Sequence, residues 1–233
     1  GRDKYNNAPM NNTIYIFPLI GLNNVGSTCF MNATLQCLLH ISELNLYFLN
    51  EYPNDYNILR TKNSSSETMG NISLAYYNVI NEVYLKSIQC NNNYYMNNNS
   101  FAPNEFKETL GKYNSQFRYY EANDSKDLIL YLLQTFHEEL NYFGDQPFPV
   151  NLLRPNQLNR ADTFNYFNNT YNFQNFSIVS KLFYGTYENI IKCCNCNKMY
   201  FSYQKFEFIS FSTYNYRNGI FNIYNGFQDN QAI

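Results

Sequence analysis

Cys29 stands where a loop rich in glycine and asparagine, Gly21-Leu22-Asn23-Asn24-Val25-Gly26, gives way to an apolar stretch that opens with Phe30-Met31. Two glycines and two asparagines within six residues are turn formers. Behind them, apolar side chains at Phe30, Met31, Ala33, Leu35, Leu38 and Leu39 follow a helical rather than an alternating pattern, and a mostly buried helix is predicted from about Cys29 to His40. A thiol at the start of a helix meets unpaired backbone N–H groups and the positive end of the helix dipole, and both favour thiolate. Asn24 lies five residues earlier, on the loop. Its side-chain amide is placed to swing beside the sulfur and donate to a developing oxyanion. A loop-borne donor and a thiol heading a helix together read as a cysteine nucleophile.

Two further stretches carry chemistry. In Ala122-Asn123-Asp124-Ser125-Lys126-Asp127, followed by Leu128 to Leu140, Asp124 has the position and type of a helix N-cap. Asp127 stands three residues on, in capping-box register, and a long helix is predicted behind them. Cys193-Cys194-Asn195-Cys196 contains Cys193-x-x-Cys196, the spacing of a thiolate pair in a zinc knuckle, with Cys194 as its neighbour. Zinc takes four ligands and no second such pair follows, so the sequence offers half a site. The two histidines are His40 and His137. Eleven residues of one helix between Cys29 and His40 span about 16 Å, and His137 lies about 20 Å along its own helix from the Asp124 cap. Neither is placed to exchange a proton with Cys29, and both read as surface or packing residues.

The string Gly21-Leu22-x-Asn24-x-Gly26-x-Thr28-Cys29-Phe30-Met31-Asn32-Ala33-x-Leu35-Gln36-x-Leu38 resembles the cysteine box of the ubiquitin-specific proteases. Ser27 stands where that family often has Asn. The Asp124 stretch resembles the family's second signature, Gln-Gln-Asp-Ala-x-Glu-Phe, with Ala122 and Asn123 in place of the glutamines and Asp127 in place of the Glu. Leu182-Phe183-Tyr184-Gly185 and Phe206-Glu207-Phe208-Ile209-Ser210-Phe211 resemble two of its strands. The resemblance covers about residues 21–211 and implies a papain-like α+β fold of thumb, palm and fingers, incomplete at its C-terminal end. It implies Cys29 as nucleophile, Asn24 in the oxyanion hole, Asp124 as a contact to ubiquitin's C-terminal tail, and Cys193 and Cys196 as half of a finger zinc site. Catalysis then needs no cofactor, and structural zinc needs ligands outside this chain. The expected partners are ubiquitin and its conjugates. Without a histidine near Cys29, the chain alone is expected to be inactive. The alternative is a ubiquitin-binding module in which the fold persists without catalysis.

The elements that must position these residues follow from composition and pattern. The chain has 233 residues, 45% of them hydrophobic, with 24 Tyr, 20 Phe, 41 Asn and no Trp. That is enough apolar surface for a sizeable core. A net charge of −2 without a basic run points away from nucleic acid and anionic membranes. No apolar run approaches 18 residues, and six clustered cysteines suit a reducing compartment, cytoplasmic or nuclear, better than a disulfide scaffold. The opening Gly1 suggests an excerpt of something longer. Residues 1–20 read as a lead-in, 21–145 as a helical lobe carrying the cysteine box, and 146–233 as the start of a β-rich region. Within the lobe, helices are predicted from Ser42 to before Pro53, from Asn71 to Ser87, and after Pro103 through Phe106 and Leu110. Tyr52 to Gly70, Asn91 to Ser100 and Asp145 to Asn175 read as loops. Residues from Ser177 onward read as strands.

Overall fold

The computed structural model describes residues 20–92, 100–144 and 156–209. These fall into two compact units, residues 20–144 with Tyr171–Leu182, and residues 156–170 with 183–209. The lead-in before Ile20 and the strand positions Ser210 and Phe211 lie outside the described residues.

Helices build the first unit. They are α1 (Cys29–Leu39), α2 (Ser42–Leu46), α3 (Tyr52–Lys62), α4 (Asn71–Asn92), α5 (Asn104–Tyr113) and α6 (Ser125–Glu139). On α4, Ile72, Ala75, Tyr76, Val79, Ile80 and Val83 are buried at the three- and four-residue spacing of one helical face. On α6, Leu128, Leu132, Leu133 and Phe136 do the same, and α1 contributes Phe30, Met31, Leu35, Leu38 and Leu39. Ala33 of α1, expected among the buried residues, is exposed. The α1 and α6 helices pack directly, and the Thr34 hydroxyl lies 3.2 Å from the carbonyl of Ser125 at the start of α6. A two-rung parallel ladder, β1 (Gly21–Leu22) on β2 (Ser100–Phe101), brings the chain to the loop before α1.

Several boundaries differ from the sequence expectation. Ser42 begins α2 as its first residue, and Ile41 occupies the N-cap without a side-chain bond. The chain does not stop before Pro53. A π-helical turn, Tyr47–Glu51, leads straight into α3, with Pro53 in its first turn where a missing N–H costs little. The segment expected as a loop is held because the fully buried Tyr52 packs on Phe48 and on Tyr77 of α4, and Phe48 meets Tyr76 of α4 and Phe136 of α6 edge to face. Helix α4 runs to Asn92, beyond its predicted end at Ser87.

The stretch read as a long connection contains a helix, α7 (Arg160–Gln174), whose first turn is held by Asn159 Oδ1 accepting from the Asp162 N–H at 3.2 Å. Leu182 and Phe183, expected in a strand, end a short helix, α8 (Ile178–Phe183). Ser177 and Ser180 start it with a reciprocal cap: Ser177 Oγ accepts from Ser180 N at 3.1 Å, and Ser180 Oγ accepts from Ser177 N at 3.0 Å.

In the second unit, β3 (Gly185–Lys192) and β4 (Met199–Phe206) form an antiparallel hairpin in register from Gly185↔Phe206 to Lys192↔Met199. Strand β4 ends at Phe206, so Glu207 to Ile209 continue as irregular chain rather than as the expected strand. Glu188 and Tyr203 face each other across the hairpin. The Tyr203 hydroxyl donates to Glu188 at 2.6 Å, and Arg160 donates to both Glu188 oxygens at 2.6 Å. The guanidinium and the tyrosine hydroxyl hold the Glu188 carboxyl below its ordinary pKa.

One buried acid ties two helices of the first unit together. Glu139, at the end of α6, is 1% exposed, and its carboxylate accepts the N–H groups of Ile72 and Ser73 at 3.2 and 2.6 Å. These are first-turn amides of α4, where negative charge is favoured. Burial outweighs these hydrogen bonds and raises the Glu139 pKa. The folded state therefore holds this proton more tightly than the unfolded one. Its contribution to stability is full below the ordinary Glu value of about 4.3 and is lost as pH rises through the raised folded value. Glu139→Gln keeps the shape and removes the titration. The stability margin of wild type over this variant should shrink as pH rises from about 4 to about 7, measured by urea unfolding followed by circular dichroism. A margin independent of pH would contradict it.

Candidate active site

The residues of the loop fold around one side-chain oxygen. Asn24 Oδ1 accepts from the Gly26 N–H at 3.1 Å, the Thr28 N–H at 2.9 Å and the Thr28 hydroxyl at 3.1 Å. The Thr28 oxygen in turn accepts from the Val25 N–H at 3.1 Å. Three donors on one oxygen determine which end of the Asn24 amide is which. The amide is therefore pinned, not free to swing as expected from sequence. The turn inside this clamp needs positive φ at Gly26 (+120°) and Ser27 (+47°). The value at Ser27 lies in the left-handed region where asparagine is several-fold favoured.

Cys29 is the first residue of α1 and is exposed. Thr28 is the N-cap residue, and a threonine there ordinarily turns its hydroxyl onto the first-turn amides. Here that hydroxyl is spent on Asn24, and α1 has no side-chain cap and no acid in its first turn. The first turn of α1, which begins with Cys29, thus has no side-chain acceptor.

Two residues of the box have roles that sequence reasoning missed. Asn32 Nδ2 donates to the carbonyls of Leu22 and Asn23 at 3.1 and 3.0 Å, and Gln36 Nε2 donates to the carbonyl of Ile20 at 3.0 Å. One helical turn apart on α1, they hold the incoming strand against the helix that starts with Cys29. The signal was present: two amide side chains four residues apart on one stripe of an otherwise apolar helix.

Asp124 caps α6 as expected, Oδ1 accepting from the Lys126 N–H at 2.8 Å, and it is exposed. Asp127 does not close a capping box. Its carboxylate takes a hydrogen bond from Gln116 Nε2 at 3.2 Å. The Thr34–Ser125 contact brings the start of α6 against α1, so the Asp124 cap lies on the same lobe as the cysteine loop. Both histidines are engaged elsewhere. His40 Nδ1 is 2.7 Å from the Gln36 carbonyl beyond the far end of α1, and the His137 ring meets Ser177 Oγ at 2.7 Å and Asn175 Oδ1 at 3.3 Å.

Cys193 and Cys196 lie in the turn of the β3–β4 hairpin, which closes through Cys193 N to Lys198 O and Asn197 N to Cys193 O, both 2.9 Å. The N–H groups of Cys196 and Asn195, with the Cys196 thiol, hold the Cys193 thiol below its ordinary pKa. Among the described residues no group of three or more His, Cys, Asp or Glu side chains is placed to hold a metal ion.

The family model for ubiquitin carboxyl-terminal hydrolases matches residues 20–217. The chain is 29% identical over 196 residues to ubiquitin carboxyl-terminal hydrolase 9 of Arabidopsis thaliana, covering 82% of this chain and 20% of that protein. It is 28% identical over 195 residues to probable ubiquitin carboxyl-terminal hydrolase 1 of Schizosaccharomyces pombe, with 82% and 21% covered. With ubiquitin carboxyl-terminal hydrolase 4 of Mus musculus it shares 28% identity over 196 residues, with 82% and 18% covered. The chain thus spans about a fifth of the length of the curated relatives it matches.

Cys29, exposed beside uncapped amides, is expected to be the most reactive of the six cysteines. Limited iodoacetamide labelling with peptide-resolved mass spectrometry checks this, and faster labelling of Cys37, Cys193 or Cys194 would contradict it. The Cys193–Cys196 pair alone is expected to retain far less than one zinc per chain after dialysis. Metal analysis measures this directly, and a stoichiometric value would show that further ligands complete the shell.

Proposed function

Because the chain belongs to the ubiquitin carboxyl-terminal hydrolase family, we propose that it supplies the nucleophile of a thiol protease cutting the peptide or isopeptide bond after ubiquitin's C-terminal glycine. The Cys29 thiolate attacks the scissile carbonyl, a carbon–sulfur bond forms, and the carbonyl electrons move onto oxygen. Asn24 Nδ2 and first-turn N–H groups of α1 stabilise that oxyanion. The tetrahedral intermediate collapses to a thioester as the amine leaves with a proton. Water then releases the ubiquitin carboxylate and returns the thiol. Asp124 contacts ubiquitin's tail as it approaches. No metal or cofactor has a part in these steps.

The observation that carries this reading is the exposed Cys29 at the head of an uncapped helix, with the Thr28 hydroxyl held away from that helix by Asn24. What the two histidines of the chain do not supply is proton transfer to the leaving amine, since each is bonded far from Cys29. The donor comes from a residue outside this chain. The engagement of both histidines elsewhere favours the second reading, a module that holds ubiquitin without cutting it.

Fluorogenic ubiquitin hydrolysis separates the two, with Cys29→Ala as control. The chain alone should show no turnover, since loss of one member of a catalytic unit typically costs on the order of 10⁴ in rate. A ubiquitin whose C-terminus carries an electrophile should still be captured by Cys29, slowly and not in the control. Ubiquitin binding without capture would favour the non-catalytic module. Turnover that disappears with Cys29→Ala would bring His40 or His137 back to the sulfur and refute the proton-transfer assignment.

A further inference from the structure

The loop that carries the nucleophile is clamped from within by Asn24, and a second group bears on it from outside. A Cβ on Gly26 would stand 2.7 Å from Tyr120 Cδ1 and 3.4 Å from Tyr120 Cγ, so the tyrosine ring lies directly against this glycine. At φ +120° only glycine is comfortable there, and glycine without a neighbour is the most mobile residue of any loop. The Lys107 ammonium lies over the same ring, 4.6 Å from its centroid.

Lys107 is unusual for a lysine. It lies on α5, is 2% exposed, and donates to the carbonyls of Phe117 and Arg118 at 2.7 and 3.1 Å. One turn further along α5, Gly111 leaves room for that backbone: a Cβ there would be 3.0 Å from Arg118 Cα. The backbone of Phe117 and Arg118 is thus fixed to α5, and Asp124 fixes the other end of the link to α6. Tyr120 sits on the stretch between these two anchors. Gly26 thus meets the Tyr120 ring at its Cδ1 edge, and the same ring takes the charge of the buried Lys107.

We propose that Tyr120, held by Lys107, is a positioning residue for Cys29. Its ring keeps Gly26 in the one conformation that lets Asn24 take the Thr28 hydroxyl. Without the ring, Gly26 regains its freedom and the clamp loosens. Thr28 then turns its hydroxyl onto the first-turn amides of α1, as N-cap threonines do. Those amides are lost to the sulfur and to the oxyanion. This rests on Cys29 being the nucleophile.

The test uses an internal reference, because Cys37 is also exposed and lies two turns further along α1. Iodoacetamide labelling at fixed pH gives the ratio of Cys29 to Cys37 rates within each molecule by peptide-resolved mass spectrometry, and circular dichroism gives the melting temperature. Tyr120 is 58% exposed, so Tyr120→Ala should melt close to wild type. In that variant the Cys29:Cys37 ratio should fall roughly two- to fivefold, the size of a helix-terminus effect on charge. Tyr120→Phe keeps the ring and should restore the wild-type ratio. Lys107→Met should lower the ratio in the wild-type background and change it no further in Tyr120→Ala. An unchanged ratio in Tyr120→Ala overturns the proposal. So does a lower melting temperature with both cysteines changing together, because that is a purely structural role. If Cys29 reacts no faster than Cys37 in the wild-type chain, the nucleophile assignment fails first, and this proposal falls with it.

Discussion

The site depends on a single acceptor with three donors. Asn24 Oδ1 gathers the Gly26 N–H, the Thr28 N–H and the Thr28 hydroxyl, and in doing so decides what the start of α1 offers to a ligand. A threonine at the N-cap normally satisfies its own helix, worth about 1 kcal/mol. This chain forgoes that bond and leaves the amides of α1 open beside a thiol. The loss is local and small, and the rest of the lobe supplies the stability that tolerates it. Helices α2, α3 and α5 also lack a side-chain cap, but at α1 a capping residue is present and bonded elsewhere.

The remaining features follow from the need to hold that loop still. Asn32 and Gln36 fasten the incoming strand to α1, and β1 pairs with β2 so that Asn23 N–H reaches Phe101 O at 2.8 Å. The buried stripe of α1 packs against α6, and α6 is set against α4 by the Glu139 carboxylate. Each contact lies one step further from Cys29, and each uses a different kind of interaction: amide bonds to carbonyls, apolar packing, a buried acid on a helix terminus.

Much of this was legible in the sequence, and the parts that were not share physical causes. Helices α1, α4, α5 and α6 announce themselves because their apolar residues repeat on one face. The Asp124 cap and the Cys193–Cys196 turn could be read from residue type and spacing alone. Helix α3 was hidden because Tyr52 and Leu59 are its only fully buried apolar side chains, and Pro53 looks like a terminator until a π-helical turn delivers it to a first-turn position. Helix α7 carries aromatics on several sides among asparagines, so it shows no single apolar face. Helix α8 reads as a strand from its β-branched residues, although Ser177 and Ser180 form a cap visible in the sequence. In the site, the Asn24 amide was identified by type, but its orientation depends on which neighbours donate to it. No spacing rule contains that.

The short ladder between Gly21–Leu22 and Ser100–Phe101 has a consequence for how this chain can diverge. It joins the approach to the cysteine loop directly to the chain that follows residues 93–99, whose sequence is asparagine, tyrosine and methionine alone. Closing a longer loop costs only about 0.6 kcal/mol for each doubling of its length. Two rungs therefore act as a fixed point in the chain. A change of length between Asn92 and Ser100 would thus leave the loop before Cys29 where it is.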